Sequence, residues 1–173
     1  MIIAVDIDDT ICNTKDLQKI LWKEYYLNNP NENYSEELPI NINHFGNDYL
    51  NNFWDTYRET LFAPKFKDGV SEVFKILRSR GIKIYIVTSR PINKYKDLHG
   101  RIKCWLNDNN IYVDDIICGV NDKGLYVLEN NIDLLIYDDL RHITSATEKN
   151  KDVIQVIEGM IWFDILERIE EYL

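Results

Sequence analysis

Residues 1–10 read MIIAVDIDDT, a short apolar run that ends in a cluster of acidic residues, and this stretch decides the fold. Residues 2–5 have the unbroken apolar character of a strand that is buried on both faces of a parallel sheet. Asp6, Asp8 and Asp9 follow this run almost at once. Because ligands of parallel α/β sheets bind beyond the carboxyl ends of the strands, the stretch predicts such a sheet with carboxylates at its ligand-binding edge.

Four more apolar, β-rich runs follow the first, at residues 82–87, 115–118, 134–137 and 153–157. Helical patterns of apolar residues lie between or after these runs, at residues 70–80, 94–109 and 160–173. Strands that alternate with helices form parallel βαβ units with right-handed crossovers. The sequence therefore predicts an α/β fold, with a three-layer, Rossmann-like parallel sheet of about five strands.

Residues 14–67 interrupt this alternation. They contain no convincing strand but two helical patterns, at residues 15–28 and 47–62, and much of the aromatic content of the chain. We therefore predict a small α-helical cap inserted after the first strand and lying over the top of the sheet. The predicted boundaries are 14–67 for the cap and 1–13 with 68–173 for the α/β core domain.

The formal net charge of −9 narrows the classes of function. So acidic a surface repels polyphosphate backbones, which argues against a nucleic-acid polymer as partner. No apolar run approaches the length of a membrane span, and acidic residues interrupt the first run too early for a signal peptide. Cys12, Cys104 and Cys118 lack the spacing of a disulfide framework, so we predict reduced thiols in a cytoplasmic protein with no membrane attachment.

Four separate segments bring carboxylates, hydroxyls and one ammonium to the same predicted edge of the sheet. The acidic residues after the first strand are joined there by Thr88 and Ser89, by Lys123, and by Asp138 and Asp139. Crowded carboxylates repel one another unless a cation neutralises them, and oxygen ligands suit a hard divalent ion. Hydroxyls and an ammonium can hold phosphoryl oxygens. The pattern predicts a metal site beside a phosphate-binding site.

These segments resemble a known set of motifs. DIDDT at 6–10, IVTSR at 86–90, Lys123 and YDD at 137–139 resemble, in order and at strand ends, the four motifs of the haloacid dehalogenase-like phosphatase superfamily. The aromatic helical insertion, TSRP and YDD are more narrowly similar to the 5′(3′)-deoxyribonucleotidase family. The resemblance implies a Mg²⁺-dependent phosphomonoesterase that acts on a small phosphorylated metabolite, in the narrower case a nucleoside or deoxynucleoside monophosphate.

The resemblance also implies the chemical roles of the matched residues. Asp6 attacks phosphorus and becomes an aspartyl-phosphate, and Asp8 protonates the leaving alkoxide and then activates the hydrolytic water. Thr88, Ser89 and Lys123 hold the phosphoryl oxygens. An acid at position 8 favours phosphate-ester hydrolysis over carbon–halogen cleavage, because only a departing alkoxide needs a proton at that point.

The Mg²⁺ ligands implied by the resemblance are Asp6, Asp8 through its backbone carbonyl, and Asp138. Asp139 is implied as a ligand through water or as an orienting neighbour. Position 9 is a departure, because the superfamily often has Gly where this chain has Asp9.

Several residues are candidates for substrate contact. Arg90 follows the phosphate-binding hydroxyls and could give the phosphate an extra cation. Aromatic residues of the cap could stack on a base or ring, although two short helices also need aromatic side chains for their own core. The candidates are Phe45, Tyr49, Trp54, Tyr57 and Arg90.

Two other functions compete with the phosphatase. A receiver domain would use Asp8, Asp9, Thr88 and Lys123 around a phosphorylated Asp, but its acceptor must end a middle strand, and the candidate Asp55 lies in a helical pattern. A catalytically idle, phosphate-binding regulatory module would keep the binding groups without turnover. For Lys123 taken alone, a solvated lysine at a helix start is the ordinary interpretation.

Overall fold

The chain is described from a computed structural model, which covers residues 1–40, 42 and 47–173. It forms two compact units. The sheet unit comprises Met1–Cys12 and Phe66–Leu173, and the helical unit comprises Asn13–Lys65. No helix in the described part of the chain is long and apolar enough to cross a membrane.

The strands and helices follow one another in the predicted alternation. The strands are β1 (Ile2–Val5), β2 (Lys83–Val87), β3 (Asp115–Ile117), β4 (Leu134–Tyr137) and β5 (Asp152–Gln155). The α-helices are α1 (Thr14–Asn28), α2 (Asp48–Tyr57), α3 (Val70–Ser79), α4 (Leu98–Asp108), α5 (Lys123–Glu129), α6 (Leu140–Glu148) and α7 (Trp162–Glu170). Short 3₁₀ turns lie at Thr60–Phe62 and Ile92–Lys94.

The five strands form one parallel sheet in the order β3-β2-β1-β4-β5. The chain builds outward from β1 to β3 and then returns to place β4 on the other side of β1. Val5 is consequently paired with Ile86 on one side and with Ile136 on the other. The point where the strand order reverses, between β1 and β4, is where open α/β sheets bind their ligands. The predicted fold class, a Rossmann-like parallel sheet of about five strands, is confirmed.

Buried faces of the helices explain how the sheet is covered. In α3 the buried residues are Val70, Val73, Phe74 and Leu77, at the helical spacing that the sequence predicts. In α7 they are Trp162, Ile165 and Ile169, and this helix packs against α3. Helices α5 and α6 form a second pair, and they pack closely together. Apolar side chains of β1, β4, α5 and α6 share one hydrophobic core.

Two helices differ from the prediction. The sequence gives no signal for α6, because LRHITSATE has β-branched and polar residues and only Ala146 is buried. Asp139 starts this helix instead, by accepting a hydrogen bond from the Arg141 N–H at its N-terminus. Helix α4 begins at Leu98 rather than at residue 94, because Asp97 adopts a φ of 50° and caps the helix by accepting from the Gly100 N–H.

The helical unit is held together by an aromatic cluster. Trp22 is fully buried and its ring contacts those of Tyr25, Tyr34, Tyr49 and Phe53 at centroid distances of 5.3 to 6.2 Å. Most of these contacts are edge-to-face or tilted, the arrangement that the quadrupole of an aromatic ring favours. Among its described residues the unit contains no strand, and the rings of this cluster form its hydrophobic core.

A methyl group at position 124 is expected to destabilise the sheet unit. A Cβ on Gly124 would lie 2.5 Å from the backbone nitrogen of Ala146, so α5 and α6 would have to separate. We expect Gly124→Ala to lower the free energy of unfolding by about 2–3 kcal/mol. Gly81→Ala is the control, because a Cβ there meets nothing within 4 Å and only its φ of 78° is unfavourable, at about 1 kcal/mol. Urea unfolding of both variants checks the order, and an equal or smaller loss for Gly124→Ala would contradict it.

Candidate active site

Asp6 and Asp138 lie on the two strands that flank the switch point of the sheet. Asp6 follows β1 and is 3% exposed, and its backbone N–H continues the β1–β4 ladder by donating to the Ile136 carbonyl at 3.2 Å. Asp138 follows β4 and is partly buried. Since β1 and β4 are paired in parallel, the fold places both carboxylates at one edge of the sheet, as predicted from the two apolar runs.

Burial and like charge raise the pKa of both carboxyl groups. Burial raises the pKa of Asp6 to about 6, with the negative charge of Asp8 adding to the rise and Lys123 opposing it. The pKa of Asp138 is raised to about 7, mainly by burial and then by the charges of Asp6 and Asp9. Two carboxylates that repel each other in a buried place gain most from a bound cation.

Lys123 is a buried charge partner of Asp6, and not the solvated lysine that a helix start usually carries. It is 1% exposed, and its Nζ lies 2.9 Å from Asp6 Oδ1. The same ammonium lies 3.9 Å from the centroid of the Tyr137 ring, at the distance of a cation–π contact. Helix α5 presents Lys123 in this way because Asp122 caps its N-terminus by accepting from the Leu125 N–H.

The hydroxyls of Thr88 and Ser89 have different surroundings. Thr88 is 1% exposed, and its Oγ1 accepts a 3.2 Å hydrogen bond from the Arg90 N–H, which leaves the hydroxyl hydrogen to donate to a ligand. Ser89 Oγ donates to the Val120 carbonyl at 2.8 Å. Its hydroxyl hydrogen is thus used to hold the loop after β3, whereas the Thr88 hydroxyl hydrogen can still be donated to a ligand.

Arg90 is directed to Asp8 instead of outward toward a substrate. Its Nε donates to Asp8 Oδ2 at 3.0 Å and its Nη2 to Asp8 Oδ1 at 2.8 Å, and only 7% of the residue is exposed. Burial disfavours the charge of Arg90, but the paired carboxylate outweighs this and the pKa of Arg90 is raised. The two residues form a bidentate ion pair, the strong form of this contact.

Asp139 has different contacts from Asp138, and they indicate a different role. Besides capping α6, its carboxylate pairs with the Arg141 guanidinium, with an Nη2–Oδ2 distance of 2.5 Å. Although burial opposes the shift, these bonds to Arg141 lower the pKa of Asp139. Asp139 as a metal ligand stays a prediction, and the structure shows it holding the start of α6 beside the site.

Three residues near the site have roles that the sequence did not indicate. Thr10 is fully buried and donates from Oγ1 to Asp138 Oδ1 at 3.3 Å, and its carbonyl accepts from Trp162 Nε1. The ring of Tyr137 supports Lys123 as described above. Thr10, Tyr137 and Asp9 all belong to the quoted motifs, and this membership is the sequence signal that could have identified them. Asp9 has a φ of 57°, in the left-handed region, and this explains why Gly suits the corresponding position in the superfamily.

The donor set suits Mg²⁺. In the described part of the chain, no three His, Cys, Asp or Glu side chains form a group that could hold a metal ion alone. Mg²⁺ does not require one, because it is usually held by one or two carboxylates together with water and substrate phosphate. Asp6 Oδ1 is buried without a partner in hydrogen-bonding geometry, although the Lys123 ammonium lies close to it. Asp6, Asp138 and the Asp8 carbonyl are thus ligands of the kind that Mg²⁺ prefers.

The aromatic candidates for substrate contact lie in the helical unit. Tyr49 Oη donates to the Asn29 carbonyl, Trp54 Nε1 to the Ile42 carbonyl and Tyr57 Oη to Glu24 Oε1. All three rings pack in or against the aromatic cluster. Tyr57 also lines a surface groove of about 610 Å³ together with Tyr25, Asn28, Asn29, Asn52, Asp55 and Thr56. Phe45 lies outside the described residues.

The metal-free protein is expected to lose stability as the pH rises from about 4 to about 7. A carboxyl group whose pKa is raised on folding favours the folded state while it is protonated. That gain is therefore full below the unfolded pKa and is lost as the pH passes through the folded pKa. For Asp138 these limits are 3.8 and about 7, which corresponds to a loss on the order of 3 kcal/mol, allowing for partial exposure.

Urea unfolding in EDTA across this pH range measures the effect. Asp138→Asn should remove the share of the decline that Asp138 contributes and leave that of Asp6, whose pKa is also raised, and saturating Mg²⁺ should restore stability at pH 8 in the unsubstituted protein. A metal-free protein whose stability relative to Asp138→Asn rises between pH 4 and pH 7 would contradict the account.

For the phosphatase that the motif resemblance implies, we expect replacement of the Tyr137 ring to slow phosphate release. Leu at this position removes the aromatic face under the Lys123 ammonium, and we expect Tyr137→Leu to lower kcat by about tenfold. Tyr137→Phe keeps the ring and should remain within about twofold of the original rate. Steady-state phosphate release distinguishes them, and equal losses in both variants would show that the hydroxyl, not the ring, matters.

Comparison with known proteins gives the fold. No family model matches the chain, and no curated protein matches it. Solved structures do match. One is a hydrolase from Streptococcus pneumoniae TIGR4, with a TM-score of 0.62 and 14% identity over 98% of this chain and 97% of that chain. Another is a HAD-superfamily hydrolase of subfamily IA from Geobacter sulfurreducens PCA, with a TM-score of 0.56 and 15% identity over 89% and 88%.

A third match is CbbY from Rhodobacter sphaeroides in complex with phosphate, with a TM-score of 0.55 and 12% identity over 89% of this chain and 84% of that chain. At these identities the likeness establishes the fold and nothing finer. These structural neighbours include a HAD-superfamily hydrolase, and the chain has the same Rossmann-like α/β fold.

Proposed function

We propose that this protein is a Mg²⁺-dependent phosphomonoesterase that hydrolyses a small phosphate ester through an aspartyl-phosphate on Asp6. The observation that carries the proposal is the buried Asp6 at the switch point, with the Lys123 ammonium 2.9 Å away and Asp138 after the neighbouring strand. A nucleophilic carboxylate, a buried cation and a second carboxylate for a metal are the groups that phosphoryl transfer to an Asp requires.

The first half of the proposed reaction transfers the phosphoryl group to the enzyme. An Asp6 carboxylate oxygen attacks phosphorus while the ester oxygen leaves, and Asp8 gives that oxygen a proton. Lys123 and the Thr88 hydroxyl balance the charge on the phosphoryl oxygens. Bound Mg²⁺, held by Asp6, Asp138 and the Asp8 carbonyl, would neutralise the phosphate and the crowded carboxylates.

The second half returns the enzyme to its starting state. Asp8, now a carboxylate, takes a proton from a water molecule, which attacks the phosphoryl group on Asp6 and releases inorganic phosphate. Asp8 can take part while it is paired with Arg90, because each carboxylate oxygen has a second lone pair.

The proposed substrate is a nucleoside or deoxynucleoside monophosphate. This rests on the similarity of TSRP, YDD and the aromatic helical insertion to the 5′(3′)-deoxyribonucleotidase family, and Phe45, Tyr49, Trp54 and Tyr57 stay predictions for contact with it. The net charge of −9 supports a small substrate whose phosphate is neutralised by metal and by Lys123 over a polymer held in a basic groove.

The receiver-domain alternative is not favoured. Its candidate acceptor, Asp55, lies in α2 of the helical unit and not at the end of a strand of the sheet. The acidic residues that follow β4 would also have no function in a receiver. An idle regulatory module has no specific observation in its favour, since each chemical group is present.

A phosphate-release screen tests the proposal. The purified protein is incubated with a panel of nucleoside and deoxynucleoside monophosphates and sugar phosphates, in Mg²⁺ or in EDTA. We expect release in Mg²⁺ with mononucleotides preferred, and a fall to the background rate in EDTA. Absence of release from every ester would contradict the phosphatase, and a preference for sugar phosphates would contradict the mononucleotide.

A further inference from the structure

The bidentate ion pair between Asp8 and Arg90 has a consequence beyond the roles given so far. The guanidinium contacts both carboxylate oxygens, at 3.0 and 2.8 Å, from a position 82 residues along the chain. A planar fork that engages both oxygens fixes the plane of the carboxylate as well as its position. A single ammonium would fix only a distance. Asp8 is therefore held in one orientation before a substrate arrives.

Arg90 is itself held from two sides. Its guanidinium carbon lies 5.6 Å from the centroid of the Trp105 ring, and that ring is also stacked on Phe66, at 4.5 Å and 19°. Its backbone N–H donates to Thr88 Oγ1. Arginine prefers such stacking on an aromatic face because its delocalised cation is weakly hydrated. These contacts join β2, α4 and the loop before α3 into one support for the guanidinium.

We propose that Arg90 is a positioning residue, which acts on the reaction through Asp8 and not by contact with the phosphoryl group. The inference rests on the proposed phosphatase function and deepens it. As general acid and then general base, Asp8 must point first at the leaving oxygen and then at a water molecule. An Asp side chain that rotates freely about its two torsions would have this orientation only part of the time. Displacement of a reacting group by about 1 Å can cost about 100-fold in rate.

A double-mutant cycle separates positioning from direct phosphate binding. The proteins are the original, Arg90→Met, Asp8→Asn and the double variant. We expect Arg90→Met to lower kcat by about 30-fold with KM within about twofold, and to have no more than about a twofold effect when Asp8 is already Asn. Equal losses in both backgrounds, or a KM that rises about tenfold, would show that Arg90 touches the phosphate and would overturn the proposal.

Arg90→Lys asks whether charge alone is sufficient. A lysine keeps the positive charge but cannot form the two-point contact, so we expect only partial recovery of the rate lost in Arg90→Met. A lysine variant as fast as the original protein would overturn the positioning role. The exposed pair of Arg80 and Glu170, 2.9 Å apart, supplies the control, because Arg80 precedes β2 whereas Arg90 follows it, so Arg80→Met removes an arginine at the opposite end of that strand and should leave the rate unchanged.

Folding is measured on the same four proteins. In Arg90→Met the side chain of Asp8, which is 35% exposed, can be hydrated, and in Asp8→Asn the amide oxygen still accepts from the buried Arg90, so the variants are expected to fold. The urea midpoint of the double variant should shift by less than the sum of the shifts of the two single variants. Additive shifts would overturn the ion pair. If the original protein releases no phosphate, the phosphatase proposal fails, and this unfolding cycle still decides whether Arg90 and Asp8 are coupled.

Discussion

Asp6→Asn is expected to reduce phosphate release by about 10⁴-fold or more while the protein stays folded. An amide nitrogen and oxygen occupy the space of the carboxylate but cannot form the acyl phosphate that carries the reaction. The substitution also removes one of the three negative charges, those of Asp6, Asp9 and Asp139, that raise the pKa of Asp138. In EDTA, the thermal midpoint of unfolding should therefore fall only by the amount that loss of the Asp6–Lys123 ion pair causes.

Asp133→Asn is the matched control for this substitution. Asp133 lies before β4, and its Oδ2 accepts a 2.7 Å hydrogen bond from the Ile2 N–H at the amino end of β1. An Asn there keeps the acceptor, and the residue lies at the opposite end of the same two strands from Asp6. Its rate should equal that of the original protein. Measurable turnover by Asp6→Asn, above about one hundredth of the original rate, would exclude Asp6 as the nucleophile.

Lys123→Met is expected to lower kcat by about 10²- to 10³-fold. Met fills a similar volume in a place that is 1% exposed, but it cannot balance the charge of Asp6 or of the phosphoryl oxygens. Loss of one donor to charge that develops in a buried site typically has an effect of this size. Phosphate release under saturating substrate and Mg²⁺ measures the change.

Lys149→Met provides the corresponding control. Lys149 directly follows α6, and its Nζ donates to Ser145 in the last turns of that helix. Its ammonium contacts Ser145 and not Asp6, so we expect the rate to stay within about twofold. A Lys123→Met variant as active as Lys149→Met would mean that the buried ammonium only supports the fold.

The sheet could be predicted because its strands carry an unusually clear signal. IIAV and LLIY are apolar at every position, as strands covered on both faces must be, and their ends were assigned to the correct residues. Helix α6 gave no such signal, since a helix that buries one residue is set by its cap and by packing against α5. Propensity and periodicity carry no information about either.

The site could be predicted in part, for a geometric reason. Parallel strands end at one edge, so residues that directly follow β1 and β4 had to lie at the same edge once both strands were assigned to one parallel sheet, and the structure adds that the two strands are neighbours. The partner of Arg90 could not be predicted in this way. A guanidinium on a flexible side chain can turn toward a ligand or toward Asp8, and the packing of Trp105 and Phe66 beside it has no signal in the sequence.

The aromatic residues of the helical unit show a different limit. Tyr49, Trp54 and Tyr57 were candidates both for a core and for ring stacking, because the same side chains serve either purpose. In the structure each polar tip bonds to another part of the unit. Residue type therefore indicated that a cluster would form, while the partners of each ring depended on how α1 and α2 pack.

Trapping of the covalent intermediate tests the central claim most directly. An aryl phosphate is mixed with the Asp8→Asn variant in Mg²⁺, because a good leaving group needs little acid and the variant should hydrolyse the intermediate slowly. The reaction is quenched in acid, and the digested protein is analysed by mass spectrometry. We predict a hydroxylamine-sensitive phosphoryl group on Asp6, absent when Asp6 is also replaced by Asn. Phosphate release without label on Asp6, or label on another residue, would contradict the account.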